Sequence, residues 1–307
     1  METSEARPLK RPRDRYWLHI LLFALTLVTT TFVGARLAFD FDESISPMSR
    51  DDFEAFARLF REPGLLIHGL PYSLTLLLIL IAHEMGHYVA CRFYGVNASL
   101  PYFIPFPIPI GTMGAFIRIR SPILTRAALF DIGVAGPLAG FLFALPAFAI
   151  GVAESKILPD VVSQGDLIFG SPLLQQALEF LVFPGTPAND IYLHPIARAA
   201  WVGVLATALN LLPIGQLDGG HILYAFFSRH HKLLSRLFVA ALIPLGIEYS
   251  RSWLVWAALI LFFGMRHPVI HDRSQLGTNR ILLGVLALVI FIGCFTAVPI
   301  HLSEIGQ

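Results

Sequence analysis

Seven apolar runs divide this chain, at about residues 16–38, 65–92, 127–152, 196–213, 233–248, 252–265 and 281–300. A helix rises about 1.5 Å per residue, so roughly 20 apolar residues cross the hydrocarbon core of a bilayer. The pattern predicts an all-α polytopic membrane protein with about seven transmembrane helices. The fifth and sixth runs are short and suit a tilted pair or a re-entrant hairpin. One stretch breaks the pattern. Residues 101–120, PYFIPFPIPIGTMGAFIRIR, hold four prolines before a GTMG turn and then alternate from Ala115 to Arg120. Proline breaks helices, and period-two alternation after a glycine turn reads as strand or hairpin. The expectation is a strand-like or re-entrant segment near 101–120. It borders a water-filled cavity at membrane depth, where irregular backbone is tolerated, or else it is an interfacial loop.

Composition supports the membrane reading. Of 307 residues, 55% are hydrophobic and 14% charged, where soluble domains carry about 25% charged residues. A net charge of +1 supplies no field to attract a polyanion, so no nucleic-acid partner is expected. Cys91 and Cys294 lie far apart in apolar contexts and read as packing residues. The basic N-terminus precedes a run from Tyr16 to Phe39 without a small-x-small cleavage site, which favours a retained first span over a signal peptide. Lys10, Arg11, Arg13 and Arg15 place the N-terminus in the cytoplasm by the positive-inside rule. Arg92, Arg118, Arg120 and Arg126 then fall inside, followed by Arg229, Lys232 and Arg236, and by Arg266, Arg273 and Arg280. Loops at about 40–62 and 153–195 fall outside, the latter with Lys156 as its one Lys or Arg. Seven spans satisfy these placements and put the C-terminus outside.

Candidate chemistry sits inside the second run as His83-Glu84-Met85-Gly86-His87. Positions i and i+4 of a helix share a face, so both imidazoles reach one ion, and the glutamate beside the first can act as general base toward a metal-activated water. Ionisable side chains inside a span are costly and default to function. From His83 to Arg92 is nine residues, which sets the site roughly 14 Å inside the cytoplasmic boundary. Catalytic zinc takes three protein ligands and keeps an open position, so a third is needed. In ALNLLPIGQLDGGHIL the acid Asp218 follows Asn210, Pro213 and Gly215. Two readings fit it equally: metal ligand, or helix N-cap before Gly219-Gly220.

HEMGH in one span and NLLPIGQLDGGH in a later one resemble the site-2 protease family of intramembrane metalloproteases. The resemblance covers roughly residues 65–225 and includes the glycine-rich IGVAGPLAG after Asp131. It implies a single membrane-embedded protease domain over 1–307, with a catalytic core at about 65–225 and peripheral helices at 16–38 and 233–300. It further implies one Zn2+ per chain on His83, His87 and Asp218, with Glu84 as catalytic base and Asn210 assisting near the oxyanion or substrate backbone. Substrates would be transmembrane proteins such as membrane-anchored regulators, cut within the bilayer toward the cytoplasmic side, in a bacterial inner membrane. Inserted PDZ or C-terminal CBS modules find no room: the loop 153–195 is too short for an ordinary domain. Gly215-Gln216 stand where another form of the motif has prolines, leaving Gln216 as a possible extra polar contact.

Gly133, Gly136 and Gly140 suit close helix packing beside the catalytic helices. His221 is either a partner behind the metal ligands or a plain polar residue, and His230-His231 read as an inside-facing topology signal. Two other functions compete. A metal transporter would also use intramembrane His and Asp but needs no base beside the first ligand. A prenyl-protein-type membrane metalloprotease also uses HExxH, but more naturally takes a Glu as third ligand. Finally, the alternating segment offers a strand edge for an unwound substrate.

Overall fold

The computed structural model describes residues 15–46, 57, 59, 61–107, 109–159, 167–263, 270, 272 and 274–302. Of the basic residues used for orientation, Lys10, Arg11, Arg13, Arg266 and Arg273 lie outside that set. Every apolar run becomes a helix. The first is α1, Tyr16–Asp42. A 3-10 turn, Pro63–Gly69, leads into α2, Leu70–Phe93. Two strands follow, β1 Tyr102–Pro105 and β2 Thr112–Phe116. Next is α3, Arg126–Ala153, opened by the Thr125 side chain accepting from the Ala128 amide at 3.2 Å.

The stretch expected to be an outer loop contains structure that hydrophobic runs did not announce. Short strands β3 Lys156–Ile157 and β4 Leu167–Phe169 precede a helix α4, Leu173–Val182. Strand β5 Ile191–Tyr192 pairs back onto β3. The chain continues through α5 Pro195–Asn210, α6 Asp218–Phe227, α7 His231–Glu248, α8 Ser252–Phe263 and α9 Thr278–Cys294, and ends in β6 Ile300–Leu302, paired with β4. Pro71 and Pro195, each in a first helical turn, cost no hydrogen bond there.

Among the described residues, three helices are long and apolar enough to cross a bilayer: α1, the continuous segment Pro63–Phe93, and α3. The chain is therefore an integral membrane protein. The count of seven spans does not follow. Helix α5 has 16 residues, or roughly 24 Å against a core of about 30 Å. The two short runs form a helical hairpin, with Gly246 of α7 against Leu254 of α8.

Helix α3 is central and packs on α2, α5 and α6. Phe130, Val134, Ala144 and Phe148 of α3 share one core with Ile79 of α2 and with Ala197, Ala200, Trp201 and Val204 of α5. Near its N-terminal end, Asp131 pairs with Arg280 of α9 at 2.7 Å, and the Tyr94 hydroxyl joins both. A separate core joins α1 to α2 through Val33, Leu37, Tyr72 and Leu76.

The proline-rich segment is a hairpin. β1 and β2 pair antiparallel, Tyr102 opposite Phe116 and Pro105 opposite Thr112, with an irregularity after Phe103. It lies along α1. His19 Nδ1 donates to the Pro101 carbonyl at the base, and Thr29 Oγ1 to the Gly111 carbonyl at the tip. Gly111 has φ +90, and a Cβ there would lie 2.6 Å from Thr30 Cα, so the turn needs glycine twice over. The Tyr72 hydroxyl of α2 donates to the Ile110 carbonyl at 2.9 Å. The strand itself is set earlier than the alternation suggested, at 112–116, with Ile119 bridging singly to Ala98.

Candidate metal centre

Helix α2 carries His83 and His87 on one face, one turn apart, and both are buried. The ring orientation of His87 is fixed from behind: its Nδ1 donates to the Ile132 carbonyl of α3 at 2.7 Å. That leaves Nε2 facing inward as an acceptor, the arrangement a metal-ligating imidazole requires.

Asp218 reaches this face because of the turn 211–217. Helix α5 stops at Asn210, Gly215 adopts φ +55, and α6 restarts at Asp218. Gly219 and Gly220 lie directly on the turn, where a Cβ would come within 2.0 Å of the Leu211 carbonyl oxygen or 2.4 Å of that of Gly215. Larger residues would push α6 away. The N-cap reading of Asp218 fails here. Leu217 occupies that position and Asp218 is the first helical residue, so its carboxylate sits in the favourable field of the helix start.

The three groups meet at equal distances. Asp218 Oδ2 lies 3.2 Å from His83 Nε2 and 3.2 Å from His87 Nε2, and the two Nε2 atoms are 3.2 Å apart. An equilateral triangle of that edge is a face of a tetrahedron whose centre is roughly 2 Å from each corner, the length of nitrogen- and oxygen-to-zinc bonds. A proton can serve one edge of the triangle at a time. A shared cation serves all three. Among the described residues, this is the one cluster of three His, Cys, Asp or Glu ligand atoms suited to a metal.

The floor of the site is α3. A Cβ on Gly136 would lie 2.1 Å from His87 Nε2, and one on Gly140 would lie 3.1 Å from His83 Cβ. Gly133 similarly meets His221 Cβ at 2.9 Å, and Gly86 meets the Ala135 carbonyl oxygen at 2.4 Å. The glycines expected to pack helices therefore also make room for the two imidazoles.

Glu84 and Asn210 flank the triangle. The Asn210 amide nitrogen is 3.2 Å from His83 Nε2. The buried Glu84 carboxylate accepts a hydrogen bond from the Ile117 backbone N–H, just beyond β2, and feels the charges of His87 and Asp218. Reading the sequence did not single out the Ile132 carbonyl or the Ile117 amide. Backbone groups leave no residue-type signal. The spacing of Gly133, Gly136 and Gly140 was visible, but not that imidazoles occupy the space. His231 is buried, with its ring 5.3 Å from that of Tyr224. Cys91 and Cys294 are free and buried.

The pattern of Peptidase family M50 matches residues 71–248, from the start of α2 to the end of α7. The probable zinc metalloprotease EGY1, chloroplastic, of Oryza sativa subsp. japonica is 31% identical over 243 residues, covering 76% of this chain and 41% of that protein. The probable zinc metalloprotease EGY2, chloroplastic, of Arabidopsis thaliana is 31% identical over 299 residues, covering 95% of this chain and 50% of that protein. The chain thus spans half or less of the length of these relatives. Their chloroplast names lend nothing to the expected bacterial inner membrane. The match encloses both HEMGH and LDGG, and the chain belongs to peptidase family M50, the site-2 protease family.

Proposed function

We propose that this protein is a zinc endopeptidase that hydrolyses a peptide bond of a transmembrane substrate inside the bilayer. The observation that carries the reading is the 3.2 Å triangle of His83, His87 and Asp218, formed by residues from two separate helices. These three hold one zinc per chain. When bound, zinc supplies Lewis acidity, making water a stronger acid and withdrawing charge from a carbonyl oxygen.

The chain's own residues do the rest. Glu84 takes a proton from the attacking water and returns it to the leaving amine. The Asn210 amide donates to the substrate carbonyl or backbone beside His83. A helical substrate hides its peptide bonds, so it must unwind before cleavage. Strand β2 has one partner, β1, among the described residues, which leaves an edge for an extended segment. The Ile117 amide ties that edge to Glu84. The basic end of α2 at Arg92 faces the cytoplasm, and substrates are membrane-anchored regulators whose release follows the cut.

A single-span reporter co-expressed with the native protein and with Glu84→Ala tests this. The native protein is expected to cleave it and the variant to lose cleavage while retaining zinc. Full cleavage by Glu84→Ala rejects the protease reading, and zinc passage across the membrane unaffected by Glu84→Ala would favour a transporter.

A further inference from the structure

Helix α4 is built inside out. Its ten residues, Leu173–Val182, bury Gln175 and Glu179, at 4% and 5% exposure, and leave Phe180 and Leu181 at 72% and 74%. A helix on a water-washed surface does the reverse, turning its apolar stripe to the core and its polar side chains to solvent. The inward polar groups meet one another: Gln175 Nε2 donates to Glu179 Oε1 at 2.7 Å and to Ser171 Oγ at 3.2 Å. Outward, Leu173, Ala177, Phe180 and Leu181 share one exposed arc of the helix. Gln176 stands at its border, bonded to the Ser171 carbonyl.

The place of α4 in the fold says what lies against that arc. Leu174 and Leu178 pack on the core shared by Ala144 and Phe148 of α3 and Ile290 of α9. From Arg126, at the start of α3, to Phe148 is 22 residues, or roughly 33 Å against a hydrocarbon core of about 30 Å. The contact thus falls near the membrane boundary opposite Arg126. There α3 reads LAGFLFALPAFAIGVA over 138–153, without a polar side chain, and leaves Leu142 and Ile150 exposed. Since α3 is long and apolar enough to cross the bilayer, those side chains face lipid, and the outward arc of α4 continues the same surface. Ten residues, roughly 15 Å, are too few to cross. The last carbonyls of a helix also need partners that hydrocarbon lacks. A helix lying in the plane of the interface meets both conditions.

We propose that α4 is an interfacial helix that seats Leu173, Phe180 and Leu181 among the lipid acyl chains at the membrane face opposite Arg126. The partner of this surface is the bilayer. The connection between α3 and α5 is then part of the membrane-embedded body and not a loop in water. The inference goes beyond the proposed hydrolysis and uses no residue of the metal centre, so either can fail without the other.

The test uses full-length protein in phosphatidylcholine proteoliposomes. Cys91→Ala and Cys294→Ala clear the background, and one cysteine at a time carries a nitroxide. The positions are Phe180→Cys and Leu181→Cys, with Leu142→Cys as the lipid reference and Asn189→Cys as the water reference. Electron paramagnetic resonance reads collisions with oxygen, which concentrates in lipid, and with a water-soluble nickel complex. Oxygen is expected to dominate at 180 and 181 as it does at 142, and nickel at 189. Nickel dominating at 180 and 181 places the arc in water and overturns the proposal. Exclusion of both reagents there shows a second copy or another protein covering the arc, and overturns it equally. Unsubstituted protein gives a second reading that needs no cysteine variant to fold. A phospholipid with a diazirine on its acyl chain is expected to label residues 173–182 as it labels 142–150, read by mass spectrometry. Label on 142–150 with none on 173–182 overturns the proposal.

Discussion

The two sides of α2 are built in opposite ways. Toward α3, helix meets helix through glycines. Gly86 rests on the Ala135 carbonyl oxygen, Gly136 lies under the His87 ring where a single added carbon has no space, and Gly140 lies close against His83. Toward α1 the first turns of α2 pack directly through Tyr72 and Leu76, and beyond them lies a hairpin of irregular backbone, held by separate hydrogen bonds such as Thr29 to Gly111 and Tyr72 to Ile110. One side fixes ligand positions to the fraction of an ångström that a metal requires. The other keeps a strand edge that a second chain can join. Rigidity and access are thus assigned to opposite faces of one helix, with Glu84 between them.

That comparison is broken most severely on the glycine side. In Gly136→Ala the new carbon would overlap His87 Nε2, so zinc affinity is expected to fall by at least about 10–100-fold, with cleavage lost alongside it. Gly277→Ala, where nothing lies within 4 Å, serves as control, and metal analysis of both purified variants reads the difference. Equal zinc content in the two would show that the helix seam does not hold the imidazoles.

Changes on the hairpin side should separate binding of metal from hydrolysis. Ile117→Pro removes the amide facing Glu84, and prolines at 113 and 115 disrupt the same edge. Cleavage is expected to drop by about 100-fold, the lower end of the range for general-base effects, while zinc content stays at the native value. Loss of zinc in these variants would mean that the hairpin supports the metal centre as well.

The smallest effect is expected at the tip. Thr29→Val removes a hydroxyl that also bonds within α1, at a cost of about 1 kcal/mol. Thermal unfolding in detergent should shift by a few degrees and reporter cleavage by about twofold. A large loss of cleavage with unchanged stability would place the tip in the reaction itself.

Much of this plan was legible in the residues. The His83-Glu84-Met85-Gly86-His87 spacing put two imidazoles on one helical face, and four prolines before GTMG excluded a helix at 101–111. Asp218 could not be settled from spacing, because Asp before two glycines suits a cap as well as a ligand. What separates these readings is the path of the turn 211–217, and Gly219 and Gly220 shape it by close contacts with the Leu211 and Gly215 carbonyls. The hydrophobic runs located every long helix but not which of them cross the membrane, since an apolar run records burial in protein as readily as burial in lipid. Helix α4 was missed for the converse reason. It turns Gln175 and Glu179 inward and Phe180 and Leu181 outward, an arrangement that periodicity cannot orient.

The central claim is that His83, His87 and Asp218 together hold one zinc ion. Zinc K-edge absorption on the purified full-length protein, paired with metal analysis of native and Asp218→Ala forms, tests it most directly. The expected spectrum shows two imidazole nitrogens and carboxylate oxygen at roughly 2.0–2.2 Å, with about one zinc per native chain and little in Asp218→Ala. Sulfur in the first coordination shell, or full zinc occupancy in Asp218→Ala, would contradict it.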